Sequence, residues 1–168
     1  FYPDIIPYGI DTEFFSTPGK KVPWVLGKPV VLQVGTITPY KNQMMSVGVV
    51  EQLRKMGWVG IRLYLVGSPT DKAYAESIRR YIKRHLLEDT VFLCGQASRE
   101  HIRDLYFSCD MVIHPVRPQG GWLAPFEAIV AKKPVLVSRE FTGVSLLEEH
   151  NLGYVCRSLE EYIGWVES

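Results

Sequence analysis

The chain has 168 residues, of which 46% are hydrophobic, and its formal net charge at neutral pH is +1. This length and apolar content suit one folded α/β domain and exclude a disordered chain. The near-neutral charge gives no electrostatic reason to expect nucleic acid as a partner.

The first segment, residues 1–28, is rich in proline and glycine and has no sustained periodicity, which predicts an interdomain linker or a crossing strand. From residue 29 to residue 168, short β-branched runs alternate with amphipathic stretches, which is typical of βα units in one domain. Strands are predicted at 30–34, 61–66, 91–94, 111–114, 135–137 and 153–155. Helices are predicted between Pro39 and Gly57, at about 71–86, 99–107, 123–131 and 159–166, and once more before the last strand.

These elements predict a Rossmann-like, doubly wound parallel sheet of about six strands with helices on both faces. Ligands of such sheets bind outside the carboxyl ends of the strands. The candidate binding loops are therefore residues 35–41, 67–71, 95–98 and 114–122.

Three widely spaced cysteines, Cys94, Cys109 and Cys156, match neither a disulfide framework nor a zinc motif. We expect buried, reduced thiols, as in a cytoplasmic protein. No apolar run is long enough to cross a bilayer and no leader sequence opens the chain. Because the chain begins at Phe1 without a methionine, we expect a longer full-length protein, for which peripheral association with the inner face of a membrane stays open.

The most informative motif is PQGGWLAPFEAIVAKKP at residues 118–134. Gly120 and Gly121 precede a predicted helix, where glycines let the backbone approach an anion such as a diphosphate. Glu127, near the start of that helix, is either an acceptor for a sugar hydroxyl or a surface glutamate that complements the helix dipole. Lys41, at the start of an earlier helix, opposes the dipole of that helix, so it is either compensated by an anion or a solvated lysine.

Several other classes of site lack their motifs. No Walker motif is present, and no G-x-G-x-x-G follows the first strand. No Asp-x-Asp pair is present, so no metal is expected. The four histidines are scattered and none accompanies a nucleophile elbow. His114, at a strand end before the 118–134 motif, is the one histidine with a candidate functional position, and structural packing is its alternative.

Five segments in order resemble the C-terminal domain of retaining GT-B glycosyltransferases of family 4, the group that includes sucrose and glycogen synthases. They are IIPYGIDTEFF (5–15), VLQVGTITPYKNQ (31–43), LYLVGS (63–68), VFLCGQASREHIRDLYFSCDMVIHP (91–115) and GGWLAPFEAIVAKKPVLVS (120–138). The resemblance covers nearly the whole chain. It implies that the chain is the C-terminal half of a GT-B architecture and that its N-terminal acceptor domain lies outside this sequence.

The resemblance implies a UDP- or GDP-sugar as the donor substrate, with no cofactor. Lys41 matches the lysine that neutralises the donor diphosphate. Glu127 matches the second glutamate of the family's E-x7-E motif, which holds the nucleotide ribose. The backbone of Gly95, Gln96 and Ala97 falls where the family contacts the base. The other residues implied in donor binding are Gly35, Thr36, Gly120, Gly121, Trp122 and Leu123.

This sequence departs from the family at three of its motif positions. Thr36 replaces a phosphate-binding arginine, Gln119 replaces the first glutamate of E-x7-E, which contacts the donor hexose, and Trp122 replaces a glycine. These departures put the identity of the donor sugar in question.

The resemblance implies metal-independent, retaining transfer of a hexosyl or mannosyl group in glycan biosynthesis, with Lys41 and Gln119 at the reacting diphosphate and sugar. Because the acceptor domain lies outside the chain, we expect donor binding by this chain without turnover. Two alternatives stay open: a GT-B nucleotide-sugar epimerase, and a non-catalytic nucleotide-sugar sensor, which Thr36 and Gln119 favour.

Overall fold

A computed structural model describes residues 9–118 and 123–167 of the chain. Six parallel strands form one open sheet in the order β3-β2-β1-β4-β5-β6. The strands are β1 (Val30–Val34), β2 (Arg62–Val66), β3 (Val91–Gly95), β4 (Met111–His114), β5 (Val135–Ser138) and β6 (Tyr154–Cys156). The strand order reverses between β1 and β4, which is the switch point of a doubly wound sheet and confirms the predicted fold.

Helices cover both faces of this sheet. In the described ranges they are α1 (Thr12–Ser16), α2 (Gln43–Lys55), α3 (Lys72–Arg84), α4 (Arg99–Ser108), α5 (Leu123–Val130), α6 (Val144–His150) and α7 (Leu159–Glu167). Apolar residues of α2, α3 and α7 form one core, and those of α1, α4, α5 and α6 form the other. The inner strands β1, β2, β4 and β5 are almost entirely buried, as parallel strands usually are, whereas the edge strands β3 and β6 are partly exposed.

The helix predicted to begin at Pro39 begins later in the structure, after a short turn. Residues Pro39–Lys41 form a single 3-10 turn, and Asn42 then adopts a left-handed conformation with φ of 54°. Asparagine tolerates this conformation better than most residues, so α2 begins only at Gln43. Lys41 consequently lies before the helix and not in its first turn.

The described part of the predicted linker, residues 9–28, is docked on the domain. Helix α1 packs against α5, and its capping residue Asp11 forms an ion pair with Arg99 at 2.9 Å. Further along, the hydroxyl of Tyr64 on β2 accepts a hydrogen bond from the backbone N–H of Leu26 at 2.9 Å. Residues 9–28 contain no strand, so the alternative of a crossing strand is wrong for them.

The three cysteines are free thiols, with Cys109 and Cys156 buried and Cys94 partly buried. Burial raises the pKa of Cys94 to about 11 and that of Cys109 and Cys156 to about 12. These groups are therefore protonated packing elements at neutral pH.

A buried carboxylate joins α2 to α3. The Glu51 carboxylate, 5% exposed, lies 2.7 Å from Lys55 Nζ and accepts a hydrogen bond of 2.6 Å from the Tyr81 hydroxyl. His85 Nδ1 lies 2.9 Å from its other oxygen. Burial opposes ionisation, but the hydrogen bonds from Lys55, Tyr81 and His85 outweigh it and lower the pKa of Glu51 to about 2.

Glu51→Gln is expected to remove a pH-dependent part of the folding free energy. Ionised Glu51 stabilises the fold above its ordinary pKa of 4.5, and this contribution is lost as the pH falls towards about 2. Urea unfolding from acid to neutral pH measures it. The stability difference between wild type and Glu51→Gln should shrink through this range, while Glu76→Gln, at an exposed ion pair with Arg79, should show almost no difference at any pH. A pH-independent difference for Glu51→Gln would contradict the assignment.

Candidate functional site

Three glycines build the carboxyl edge of the sheet. Gly35, Gly67 and Gly95 follow or end β1, β2 and β3, and backbone hydrogen bonds run from Gly35 N to Val66 O at 2.9 Å and from Gly67 N to Gly95 O at 2.8 Å. A Cβ on Gly67 would overlap the carbonyl oxygen of Gly35 and lie 2.5 Å from its carbonyl carbon. The close approach therefore brings the loops at residues 35–41, 67–71 and 95–98 together at one edge, as the sequence predicts.

Lys41 lies at this edge and is largely withdrawn from solvent, with 8% of its surface exposed. Its side chain runs alongside Gly35, since a Cβ on that glycine would lie 3.5 Å from Lys41 Cε. Its ammonium lies 5.4 Å from the centroid of the Tyr40 ring. Burial lowers the pKa of Lys41, and no described carboxylate pairs with it. The alternative of a solvated lysine is wrong, and a desolvated cation in this position favours an anionic ligand.

Buried amides fix the backbone around Lys41. Gln33, in the otherwise apolar β1, donates from Nε2 to Lys41 O at 2.8 Å and accepts from Ser46 Oγ at 2.7 Å. Gln43 donates to Thr36 O at 2.9 Å. These supporting residues were not predicted from the sequence, although a single glutamine within Val-Val-Leu-Gln-Val was a visible signal.

Glu127 lies in the second turn of α5 and is half-buried. The buried hydroxyl of Tyr106 on α4 lies 3.0 Å from Glu127 Oε2 and 3.1 Å from Ala124 O. Burial raises the pKa of Glu127, against the opposing effects of the Tyr106 hydrogen bond and the Arg99 charge. Glu127 is therefore not a fully solvated surface side chain. Tyr106 fixes one carboxylate oxygen, which orients the other towards further partners.

The loop at residues 95–98 borders a cavity of about 300 Å³ whose wall includes Gln96, Ala97 and Ser98. Gln96 Oε1 accepts a hydrogen bond from Ser68 Oγ at 3.0 Å, and Ser98 Oγ caps α4 by accepting from His101 N at 3.2 Å. Trp24 and His101 close the other side, with their rings stacked at 5.7 Å and 16°. Both rings were missed from the sequence, because residues 1–28 gave no pattern that places Trp24 over α4.

The sequence matches the model of one protein family, described as glycosyl transferases group 1, over residues 18–161. That match spans most of the chain. The chain belongs to the glycosyl transferases group 1 family.

Solved structures share the fold of this group 1 domain. HepE from Anabaena in complex with UDP and glucose has a TM-score of 0.80 at 21% identity, covering 95% of this chain and 45% of its own. Sucrose-phosphate synthase from Thermosynechococcus elongatus has a TM-score of 0.78 at 19% identity, covering 96% and 42%. The C-terminal domain of the group 1 family protein LpcC from Francisella tularensis has a TM-score of 0.76 at 18% identity, covering 95% and 86%.

This group 1 domain thus spans less than half the length of HepE and of the synthase, and most of the LpcC domain. The structural likeness establishes the fold, which is the GT-B type expected from the sequence. No curated protein sequence matches the chain.

The predicted site residues of the group 1 domain divide into three sets. Gly35, Thr36 and Lys41 share the carboxyl edge with the loop of Gly95, Gln96 and Ala97. Glu127 lies on α5 against Tyr106, and Leu123, 42% exposed, begins that helix. The remaining predicted residues, Gln119, Gly120, Gly121 and Trp122, lie outside the described residues.

His114 is fully buried at the end of β4. Its ring lies edge-on to Phe141 at 5.6 Å, so it packs in the core between β4 and the segment after β5. The packing alternative for this histidine fits its position better than a role at the site.

Across residues 9–118 and 123–167, no group of three histidine, cysteine, aspartate or glutamate side chains is arranged to hold a metal ion. None of the helices in those ranges is both long enough and apolar enough to span a membrane.

Proposed function

We propose that this chain is the donor-binding domain of a nucleotide-sugar-dependent glycosyltransferase and binds the nucleoside diphosphate part of a UDP- or GDP-sugar. The observation that carries the proposal is Lys41, a desolvated cation at the carboxyl edge that no described carboxylate neutralises. A diphosphate supplies the missing negative charge. HepE was crystallised with UDP and glucose, which favours UDP as the first nucleotide to test.

The loops at this edge suggest how the nucleotide lies. The cavity beside Gln96 and Ala97 is open to backbone contacts with the base, and Trp24 offers a stacking surface. Glu127 accepts from a ribose hydroxyl, and Lys41 contacts the diphosphate. The base, ribose and diphosphate then follow one another along the carboxyl ends of the strands.

The chemistry proposed is retaining, metal-independent hexosyl or mannosyl transfer. As the bond between the anomeric carbon and the diphosphate breaks, negative charge builds on the leaving diphosphate. Lys41 stabilises that charge more strongly in a site that excludes water than it would in solvent. The remaining catalytic groups and the rest of the acceptor site are expected on an N-terminal domain, so the chain alone is expected to bind the donor without turnover.

Glu127→Ala is expected to weaken UDP binding by about tenfold, which is roughly 1.4 kcal/mol, through loss of the ribose contact. Calorimetric titration with UDP and with its 2′,3′-dideoxy analogue isolates that contact. Wild type should prefer UDP by about tenfold, and Glu127→Ala should bind the two ligands equally.

Two further variants sharpen this test. Glu76→Ala removes an exposed glutamate of α3 and should leave both affinities unchanged. Tyr106→Phe removes the hydroxyl that holds Glu127 Oε2 and should give an intermediate preference for UDP. A Glu127→Ala variant that still prefers UDP by tenfold would rule out the ribose contact.

A non-catalytic sensor is the second candidate, and Thr36 favours it. The Thr36 hydroxyl hydrogen-bonds Tyr40 and lowers the pKa of that phenol, while its carbonyl accepts from Gln43. The position is thus committed to internal contacts and supplies no second cation for the diphosphate. The full-length protein with UDP-glucose separates the candidates, because a transferase slowly hydrolyses or transfers the sugar, an epimerase interconverts it, and a sensor leaves it intact.

A further inference from the structure

A second cavity, of about 330 Å³, opens on the carboxyl edge beyond β4. It lies between the start of α2 and helix α7, and its wall includes Asn42, Arg117, Ser138, Glu140, Arg157 and Tyr162. The cavity bordered by residues 95–98, where the base is proposed to bind, lies at the ends of β2 and β3, on the other side of β1, and shares no wall residue with this one. The volume of the second cavity is within the range of about 300 to 1,000 Å³ that small-molecule sites occupy.

Tyr162 forms the buried part of this wall, with only 2% of its surface exposed. Its hydroxyl has no hydrogen bond of good geometry to any residue in the described ranges. Ser138 lies beside it and, while donating to Val116 O at 2.6 Å, can still accept from the Tyr162 hydroxyl, but that contact falls short of hydrogen-bond geometry. A buried hydroxyl without a partner destabilises the fold, so its persistence at a cavity wall indicates a partner that enters from the cavity.

The rim of the cavity carries charges of both signs. Arg117, Arg157 and Glu140 are exposed, and within the described ranges none of them forms an ion pair. The backbones of the two arginines are held in place, since Arg117 N donates to Tyr40 O at 2.7 Å and Arg157 N donates to Glu161 Oε2 at 2.8 Å. Their unpaired side chains are therefore available to a ligand.

The mixture of groups selects the chemistry of that ligand. Guanidinium groups only donate, a carboxylate only accepts, and the Asn42 amide and Tyr162 hydroxyl do both. A sugar hydroxyl both donates and accepts, so a ring with several hydroxyls matches this set. An anion matches it less well, because Glu140 and the acidic first turn of α7 would repel it.

We propose that this cavity binds one neutral hexose unit of the sugar acceptor, placing part of the acceptor site on the donor domain. The inference rests on the proposed glycosyltransferase function. Arg117 links the cavity to the donor edge, because its backbone is bonded to Tyr40, the neighbour of Lys41. A hexose held there would lie beside the sugar of a donor bound at Lys41.

The test is an amide NMR titration of the chain with methyl α-D-glucopyranoside and, separately, methyl α-D-mannopyranoside. At least one of the two should shift the amides of Asn42, Arg117 and Arg157 in a saturable way. Tyr162→Phe should weaken that binding at least fivefold and leave the melting temperature unchanged or higher, because it removes a hydroxyl that lacks a partner. Tyr154→Phe, the same change at a 40% exposed site on β6, should alter neither quantity.

Several outcomes would overturn the inference: no saturable shift with either glycoside, equal binding by Tyr162→Phe, or shifts at the cavity with inorganic phosphate alone. A fall in melting temperature for Tyr162→Phe would also overturn it, since the hydroxyl would then have a structural partner. UDP titration of the same samples keeps the two claims apart. Absence of UDP binding to wild type would contradict the proposed function, whereas a glycoside shift that includes Arg157, next to α7, reports on this cavity.

Discussion

Gly67→Ala is expected to destabilise the chain by about 3 kcal/mol or more, which corresponds to a fall in melting temperature of roughly 10 °C for a domain of this size. The added methyl group would overlap Gly35 O and lie 3.0 Å from Thr36 N. Those are backbone atoms of a neighbouring strand end, so no side-chain rotation relieves the overlap. The loop that carries Thr36 and Lys41 would have to move away from β2.

Gly164→Ala is the matched control for this prediction. It makes the same chemical change in α7, where an added Cβ meets no atom within 4 Å. Because alanine favours a helix over glycine by about 0.5 to 1 kcal/mol, this variant should melt higher than wild type. Thermal unfolding followed by circular dichroism measures both variants. Equal melting temperatures for the two would contradict the close packing of the strand ends.

Lys41→Met is expected to weaken UDP binding tenfold or more, a loss of at least roughly 1.4 kcal/mol. Methionine retains most of the length of the side chain beside Gly35 but has no charge. Because the lysine is desolvated and has no carboxylate partner in the described ranges, its removal should leave the melting temperature of the free chain unchanged or higher. A binding defect without a folding defect would separate the role of Lys41 in the site from a role in packing.

Lys83→Met is the control, because it removes one positive charge by the same substitution at a position away from the candidate site. Lys83 is exposed in the last turn of α3, at the end of that helix remote from the candidate site. Calorimetric titration should show wild-type affinity for this variant. If Lys41→Met also bound UDP with wild-type affinity, the diphosphate would not contact Lys41.

The fold was predictable because its determinants are local. Short β-branched runs ended by glycine, alternating with amphipathic stretches, set the strands and helices within a few residues of their observed bounds. The interruption at Asn42 was not predicted, because the helical pattern of Met44, Met45 and Val49 lies wholly after Asn42 and does not mark where the helix begins. The left-handed conformation of Asn42 is set by the geometry of the loop that joins β1 to α2.

The site was predictable in part. The carboxyl edge and Lys41 follow from strand topology and from the resemblance to the family. The environment of Glu127 could not be predicted, because its partner Tyr106 lies on a different helix and meets Glu127 only through tertiary packing. Trp24 and Tyr162 were missed for the same reason, since each acquires its position from contacts with elements distant in the sequence.

The most direct measurement is a thermal-shift titration of the wild-type chain with UDP, GDP, ADP and CDP, because a ligand that binds the folded state alone raises the melting temperature. Binding at the Lys41 edge predicts a saturable rise with one nucleoside diphosphate, UDP first, that is larger than the rise with its monophosphate and is lost in Lys41→Met. A chain that is folded but shows no shift with any of the four would contradict the donor site in this domain.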